Sequence, residues 1–503
     1  MPWRPITNVI IKKGSGSGSS GFTPDGVVGS KVASNFFRTA AKGDDFVDVI
    51  TIGDSNTGYK TEGTTAYSYG WTAALHRTLG GLMGIPMYAS ALVPGALNPG
   101  SGLEVDRGDT AGVNPLGTGI QCNWPSTAVS GETGAVGPLS RLEHRVGQSD
   151  AAAIALKTNL GYVSTSDSLG SQLPLFTGFA WDAAFLPSGL TYTSGANKNF
   201  IRMNTYCPLL TGQSNAPLQY RCVYGKFATG SGQFRPAAWT PSAHQSAPAY
   251  VSTSGGSAGN WYGTTKFNFT GPTVTNGVAA NYMIAGWDNF ANGSPAVGPF
   301  ACLWHSVMRT NVAGYAVNNY IYHGGAQSVH LYNRVNTNAG ILDSYLKEIY
   351  DRQTEVNGSG NTVVWINVGI NGPDTSTTWP QNIGLTVDKM IERWTAVGND
   401  PSKLAFVLSV THPTSTVATW DSARAAVATA ANAYAAANVA KQVTVVDIAQ
   451  YYTANELLAD NVGGVNMYDT GAGGQAHLYS IAGERNGYDA VCASMLSALC
   501  SYV

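Results

Sequence analysis

The chain has 503 residues, which is long for one ordinary hydrophobic core, so we expect two domains with additional segments. Charged residues make up only 12%, about half the usual share, and the formal net charge of -2 argues against binding to nucleic acid. No stretch approaches the roughly 20 apolar residues of a membrane helix, and the N-terminus lacks the apolar run of a secretory signal, so we expect neither membrane insertion nor export by that route.

The chain begins with a segment whose composition predicts a flexible connection. Residues 14–21, GSGSGSSG, form a Gly/Ser linker that follows a short arm, residues 1–13. Three of its glycines fit GxGxxG, but the turn-forming FTPDG follows where a dinucleotide site needs a helix, so no cofactor is expected. We assign residues 1–45 to the arm and linker and expect residues 1–21 to dock on neighbouring proteins of an assembly.

Alternating strands and helices follow in two separate parts of the chain. The first part holds a strand, FVDVITIGD, and a helix predicted over 66–82. After residue 315 the pattern returns as strand GYAVNNYIYHGG, helix 339–352, strand NTVVWINVG, helix 385–398, strand 404–410, helix 421–440, strand 442–448 and a last helix around 481–500. Strict alternation of this kind predicts an α/β fold with a parallel sheet between two layers of helices.

The region between these two parts has a different sequence pattern. Short aromatic and β-branched runs such as LQYRCVYGKFATG and NWYGTTKFNFTG are broken by Gly, Ser, Pro and Asn, which predicts an all-β sandwich or jelly roll. We therefore expect residues 96–315 to be an inserted domain and a candidate for carbohydrate binding, flanked by the two parts of the α/β domain at 46–95 and 316–503. Most of its tryptophans are expected in the core of that domain.

Reactive groups of a parallel sheet gather beyond the carboxyl ends of its strands, so the candidates for chemistry are the residues at those ends. The first strand ends at Ser55, a candidate nucleophile, although a serine there is more often a helix cap or turn residue. The second ends at Gly324 and Gly325, whose bare amides permit close approach of a substrate. The third ends at Asn371, whose side-chain amide could donate to an oxyanion or simply belong to an Asn-Gly turn.

A nucleophilic serine needs a general base, and the eight histidines offer two candidates. His477 lies after the last strand and just before the last helix, and we prefer it to His323, which lies beside the end of the second strand. The six cysteines have no CxxC spacing and no histidine cluster nearby, so no metal site is expected.

In this order the four motifs, GDSN, HGGAQS, GING and QAHLYSIAGERNGYDAV, resemble the four blocks of the GDSL/SGNH hydrolase family. The resemblance covers about 46–95 and 315–503. It implies a three-layer, flavodoxin-like sheet, with Ser55 as nucleophile and His477 as base. It also implies an oxyanion hole formed by the Ser55 N–H, the Gly325 N–H and the Asn371 side chain.

The chain departs from the family pattern at two positions. Gly372 stands where the third block usually has an acid, with Asp374 nearby, and we expect only a local change there. Gly474 stands where an acid normally orients the catalytic histidine, so that role passes either to Asp469 or to a backbone carbonyl.

The expected reaction is ester hydrolysis through an acyl-enzyme, with a preference for acetyl groups that rests on the resemblance alone. An acylated polysaccharide is the expected substrate, since similar insertions in SGNH esterases resemble carbohydrate-binding modules. The composition and arm indicate a homo-oligomeric fibre, spike or decoration protein of a phage particle; an esterase of the bacterial cytoplasm, or one released by lysis, is the alternative. A structural or glycan-adhesion protein with lapsed catalysis is the second hypothesis, favoured by Gly474.

Overall fold

The computed structural model describes a little over half of the chain. It covers residues 26–54, 56–57, 60–61, 68–69, 71–91, 140–141, 179–181, 200–206, 217–226, 228, 233–240, 243–246, 248–257, 260–271, 282–288, 290–291, 294–295, 300–322, 326–337, 339–371, 374–413, 418–452, 478 and 487–502.

The described strands and helices are numbered in chain order. The strands are β1 Val27–Gly29, β2 Val47–Gly53, β3 Lys60–Thr61, β4 Ser68–Tyr69, β5 Ala89–Ala91, β6 Ser140–Arg141, β7 Phe179–Trp181, β8 Phe200–Tyr206, β9 Pro217–Gly225, β10 Gln233–Thr240, β11 Ala243–Ser246, β12 Val251–Ser252, β13 Tyr262–Thr270, β14 Tyr282–Asp288, β15 Phe290–Ala291, β16 Ser294–Pro295, β17 Phe300–Arg309, β18 Tyr315–Tyr322, β19 Thr362–Val368, β20 Leu404–Val410 and β21 Val443–Asp447. The helices are α1 Val32–Ala41, α2 Trp71–His76, α3 Ser328–Thr337, α4 Ala339–Thr354, α5 Thr378–Ala396, α6 Ala418–Ala437 and α7 Gly487–Ser501. A π-helical turn, Arg77–Leu82, continues α2.

A six-stranded sheet forms the centre of the α/β unit, in the order β1-β21-β20-β19-β2-β18. Its last five strands run parallel, and β1 pairs antiparallel with β21 at the edge. Taken in chain order, the parallel strands lie as 2-1-3-4-5, which is the flavodoxin-like order. Its topological switch point lies beside β2, the strand that leads to the Ser55 position.

Alternate side chains of the parallel strands pack into two separate hydrophobic cores, one on each face of the sheet, because helices cover both faces. Val49, Val363 and Val407 point to the layer formed by α1, α2 and α7. Ile50, Val364 and their neighbours point to the opposite layer, which contains residues of α3, α4, α5 and α6. The predicted parallel sheet between helices is therefore confirmed.

The N-terminal boundary of this unit lies earlier than the sequence indicates. The sequence pattern places residues 26–45 in the arm and linker, but β1 pairs with β21, and α1 buries Phe36 and Phe37 in the core of the sheet. The reason is the amphipathic pattern of VASNFFRTAA, which buries one face of a short helix against the sheet.

Antiparallel strands occupy the region between the two parts of the α/β pattern. One sheet runs β11-β10-β14-β8, and another runs β13-β9-β17-β7-β6 with β5 also paired to β17. The second sheet shares its core with the α/β unit, because Val223 of β9 and Trp304 of β17 belong to the cluster that contains Ile50 and Tyr345. The β-rich texture is thus confirmed, while a jelly-roll or sandwich topology stays a prediction.

Buried charges join the antiparallel sheet to helix α4. Arg221 of β9 donates to Glu348 at 2.8 Å and to Glu355 at 3.0 Å, and the Arg221 side chain is only 2% exposed. Separating these elements would leave the buried charges of Arg221 and Glu348 uncompensated, whereas Glu355 is 35% exposed and also pairs with Lys266.

A second buried network lies at the start of β2. Asp48 is ion-paired with Arg352 of α4 and accepts hydrogen bonds from Asn318 at 3.0 Å and Gln353 at 2.7 Å. The Arg352 guanidinium also lies 5.3 Å from the ring centroid of Trp304 in β17. The parallel sheet, α4 and the antiparallel sheet are therefore held together at the end of β2 opposite the Ser55 position.

Candidate active site at the strand ends

The first strand ends in a tight, fully buried turn. A Cβ added to Gly53 would lie 2.0 Å from Thr57 Oγ1 and 2.1 Å from the Asn367 carbonyl oxygen, so only glycine fits this close approach of β2 and β19. The Thr57 amide then donates to the Asp54 carbonyl at 3.0 Å, and Asp54, Asn56 and Thr57 are all buried. Ser55 itself lies outside the described residues, but the residues on both sides of it belong to this turn.

Asp54 is a buried ionisable group in this turn, and its hydrogen-bond donors within the described residues are uncharged. Its Oδ1 accepts hydrogen bonds from the Asn56 amide at 2.9 Å and from Asn56 Nδ2 at 3.2 Å. Oδ2 has no partner of normal geometry within the described part of the chain, although the amides of Gly369 and Ile370 lie close enough to favour the carboxylate. Burial outweighs these donors and raises the pKa of Asp54 to about 6.

The helix after the first strand begins later than predicted. The sequence predicts a helix from residue 66, whereas residues 60–61 and 68–69 form a small hairpin and α2 begins at Trp71. The first residues of this helix are nevertheless hydrogen-bonded to the turn at the strand end. The amide of Trp71 donates to the Asn56 carbonyl at 2.7 Å, and the amide of Thr72 donates to the Thr57 carbonyl at 3.4 Å. The start of α2 therefore lies against the turn, although it does not continue directly from it.

The second and third strand ends come together at Asn371. Gly325 lies outside the described residues, and so does His323, but Ala326 is described and buried. Asn371 Nδ2 donates to the Ala326 carbonyl at 3.3 Å. One N–H of the Asn371 amide is therefore held by the segment that follows Gly325, and no acceptor for the second N–H is found among the described residues.

A second contact joins the same two segments. Ser328, the first residue of α3, donates through Oγ to Asp374 Oδ1 at 2.5 Å and through its amide to Asp374 Oδ2 at 3.1 Å. Burial raises the pKa of Asp374, while the two donors of Ser328 oppose this effect. Asp374 thus caps α3 from the neighbouring loop, a role that the sequence did not indicate.

The fourth motif is described only at its borders. His477, Asp469 and Gly474 lie outside the described residues, so the contact between Ser55 and His477 stays a prediction. Leu478 is fully buried in the same core as Trp71 and Tyr488. The Tyr488 hydroxyl donates to Asn56 Oδ1, and its ring packs edge-on against Trp71 with centroids 5.1 Å apart. The start of α7 is therefore fixed to the turn that contains the Ser55 position.

Sequence reasoning missed Tyr488 and Thr57 as parts of this site. Both act through contacts between residues far apart in the chain, and the tyrosine in NGYDAV gives no local signal of its partner 432 positions away.

His330, which follows the second strand end, has a structural contact instead. Its Nδ1 accepts a hydrogen bond from the Gln327 amide at 2.9 Å at the beginning of α3.

Within the described residues, no group of three or more His, Cys, Asp or Glu side chains is arranged to hold a metal ion. The same part of the chain contains no helix with the length and apolar character needed to cross a membrane.

Neither a protein-family model nor a curated protein matches the chain. Among solved structures, a peptidoglycan O-acetylesterase is 11% identical over 94% of this chain and 97% of that one, with a TM-score of 0.45. A family two carbohydrate esterase from Cellvibrio japonicus is 7% identical, covering 54% and 82%, with a TM-score of 0.18. A CBM4 structure is 10% identical, covering 29% and 93%, with a TM-score of 0.17. TM-scores below 0.5 carry no weight for function, so membership of the SGNH family stays a prediction from the four sequence motifs.

Proposed function

We propose that the chain is a serine esterase that removes acyl groups, chiefly O-acetyl, from a polysaccharide. One arrangement supports this above all: described residues of all four motifs meet at the carboxyl edge of a flavodoxin-like sheet. Asp54 and Asn56 lie beside the end of β19, Asn371 is bonded to Ala326, and Tyr488 is bonded to Asn56. A crevice at this edge beside the switch point is where α/β sheets of this type bind ligands.

In the proposed mechanism, Ser55 Oγ attacks the ester carbonyl carbon while His477 takes the hydroxyl proton. The carbonyl oxygen becomes an oxyanion that accepts hydrogen bonds from the Ser55 amide, the Gly325 amide and the remaining N–H of Asn371. The alcohol of the polysaccharide leaves with the proton from His477, and Ser55 carries the acyl group. Water, deprotonated by His477, then attacks the acyl carbon. The bond to Ser55 Oγ breaks, His477 returns the proton to Oγ, and the carboxylic acid leaves the restored enzyme.

The residue that orients the His477 imidazole as third member of the triad is not given by the motif, because Gly474 has no side chain that could accept a hydrogen bond from the ring. We propose Asp469 for this role, and a backbone carbonyl that accepts the Nδ1 proton is the competing arrangement. The Asp469→Asn variant separates the two. If Asp469 orients His477, kcat falls by roughly 10²- to 10⁴-fold, as in other triads that lose this acid. An unchanged kcat would assign the role to a carbonyl.

An ester is favoured over an amide because an alkoxide leaves readily, so one imidazole and three hydrogen-bond donors suffice. The polysaccharide is proposed from the aromatic-rich antiparallel region, since flat aromatic faces can stack on sugar rings. The acetyl preference rests on the resemblance to the SGNH family.

Acetate release from an acetylated polysaccharide and hydrolysis of p-nitrophenyl acetate test the proposal directly. We expect turnover by the wild type and a loss of at least about 10³-fold in Ser55→Ala and in His477→Ala. Ser344→Ala is a matched control, because Ser344 is in α4 and its hydroxyl donates to the Gly340 carbonyl of the same helix. No turnover by the wild type, or full turnover by Ser55→Ala, would leave the structural or glycan-adhesion protein as the better account.

Carriage on a phage particle is a further proposal, and it rests on the composition and the Gly/Ser linker. Residues 1–21 would dock on neighbouring virion proteins or copies of the chain. Light scattering on the full chain and on a chain without residues 1–21 tests this role. We expect an oligomer in the first case and smaller species in the second, whereas a monomer in both would contradict it.

A further inference from the structure

Two bonded contacts join the loop after β18 to the loop after β19. The first is the hydrogen bond from Asn371 Nδ2 to the Ala326 carbonyl. The second, here called the Ser328–Asp374 clasp, consists of the two hydrogen bonds that Ser328 donates to the Asp374 carboxylate. Ser328 is two residues after Ala326, and Asp374 is three residues after Asn371. The clasp therefore joins the same two segments as the Asn371–Ala326 bond, only a few residues further along each.

The clasp is built more firmly than the contact beside it. Ser328 is fully buried and Asp374 is 5% exposed, and the clasp bonds are 2.5 and 3.1 Å long. Asn382 of α5 adds a third anchor, donating from Nδ2 to Ser328 Oγ at 2.9 Å. By contrast, the Asn371 bond is 3.3 Å long and Asn371 is only half-buried. A bond of that length does not by itself fix a side-chain amide.

We propose that Asp374 is a positioning residue that holds the Asn371 amide in place for the oxyanion through its clasp with Ser328; this inference rests on the esterase proposed above. Asp374 touches neither the substrate nor the reacting atoms. It ties together the two segments that carry Ala326 and Asn371, so the second N–H of Asn371 keeps one direction. Such donors stabilise a transition state because they are already oriented when the charge develops.

A carboxylate suits this role because it accepts both donors of Ser328 at once. Asparagine at position 374 keeps the volume but can accept only one of the two Ser328 donors. Its N–H₂ group has to donate to Ser328 Oγ instead, so a charge-assisted hydrogen bond is replaced by a weaker neutral one of reversed direction. Alanine at position 328 removes the hydroxyl bond to Asp374 and the acceptor for Asn382, and it leaves the amide bond to Asp374. The two substitutions therefore loosen the clasp by different amounts without removing the proposed oxyanion donor.

The test combines these substitutions with Asn371→Ala, using p-nitrophenyl acetate and Ser55→Ala as the inactive reference. Asp374→Asn is expected to lower kcat about tenfold and Ser328→Ala somewhat less, with KM within about twofold, because only the transition state uses the oxyanion bond. Asn371→Ala is expected to lower kcat by roughly 10²- to 10³-fold. In the Asn371→Ala background, the clasp substitutions should cause no further loss of kcat, since their effect passes through Asn371.

Val335→Ala is the control for general loosening of α3. Val335 is fully buried in the same helix, so its truncation lowers the melting temperature without touching the clasp. We expect kcat of this variant to stay within about twofold of the wild type. Ser328→Ala removes the two hydrogen bonds of the hydroxyl, to Asp374 and from Asn382, but keeps the amide bond to Asp374, so the test stays available if Asp374→Asn fails to fold.

The outcomes separate this inference from the function on which it rests. Clasp and Asn371 effects that multiply, or a rise in KM with kcat unchanged, would overturn the positioning role while Ser55-dependent turnover supports the esterase. Absence of Ser55-dependent turnover in the wild type would overturn both. A clasp effect that vanishes in the Asn371→Ala background supports the role of Asp374.

Discussion

Replacing Asp54 with asparagine removes a buried, ionisable group that lies beside the proposed nucleophile. The carboxyl is fully buried and its pKa is raised from 3.8 to about 6 by loss of solvation. Asparagine keeps the shape and the oxygen that accepts from Asn56, but it does not ionise. The pH dependence of stability should therefore differ between the two proteins in a defined direction.

The sign follows from which state binds the proton more tightly. Below about pH 4, Asp54 is protonated in both folded and unfolded chains, so its contribution to stability is fully present. Between its ordinary pKa of 3.8 and about 6, the unfolded chain ionises while the folded chain keeps the proton, and the free energy of unfolding falls as the pH rises. Above about pH 6, Asp54 is ionised in both states, and the free energy of unfolding falls no further on its account. At about 1.4 kcal/mol per pKa unit, the total decrease amounts to about 3 kcal/mol.

The assay is the melting temperature of wild type and Asp54→Asn from about pH 4 to pH 7.5. With an entropy of unfolding of about 2.1 cal/mol/K per residue, 3 kcal/mol corresponds to about 3 °C for a chain of 503 residues that unfolds as one unit. The melting temperature of the variant minus that of the wild type should therefore increase by about 3 °C as the pH rises across this range. Any constant effect of the substitution cancels in the comparison.

Asp400→Asn is a control in which the pKa shift has the opposite sign. Asp400 caps a short 3₁₀ turn through the Ser402 amide, and this hydrogen bonding lowers its pKa below 3.8. The contribution of that carboxyl is present above 3.8 and is lost only as the pH falls below it, so the difference between wild type and Asp400→Asn should stay nearly constant from about pH 4 to pH 7.5. If the difference between wild type and Asp54→Asn does not change with pH, or grows in favour of the wild type, the assignment of a solvation-raised pKa is wrong.

Three further expectations concern the residues around the two ends of β2 and can be checked by thermal unfolding. Gly53→Ala should destabilise by about 3 kcal/mol or more, because the new Cβ would lie 2.0 Å from a side-chain oxygen and 2.1 Å from a carbonyl oxygen; wild-type stability would contradict the close approach. Tyr488→Phe should cost about 1 kcal/mol by removing the donor to Asn56, and no change would show that this bond does not fix the start of α7. Arg352→Met should cost about 3 to 5 kcal/mol because it removes one partner of a buried ion pair with Asp48; a neutral effect would mean that this pair does not stabilise the fold.

The agreement between sequence and structure is good where local pattern decides. The continuous apolar runs at 362–368 and 404–410 predicted buried strands, and both strands are buried at every residue. The helices at 339–354 and 418–437 were predicted within a few residues of their bounds. The differences arose where tertiary contacts decide. Helix α2 begins at Trp71, after strand 60–61 pairs with strand 68–69, and α5 begins at Thr378 instead of residue 385. Residues 26–45 belong to the sheet unit.

The sequence by itself determined the alternation of strands and helices, the candidate residues at the strand ends and the order of the four motifs, because periodicity and turn chemistry are local properties. Only the tertiary structure decided the strand order 2-1-3-4-5, the bond between Asn371 and Ala326, the clasp between Ser328 and Asp374, and the burial of Asp54. These features depend on contacts between residues tens to hundreds of positions apart. A side chain's solvation and hydrogen-bond partners exist only once distant strands pack, so no local pattern encodes them.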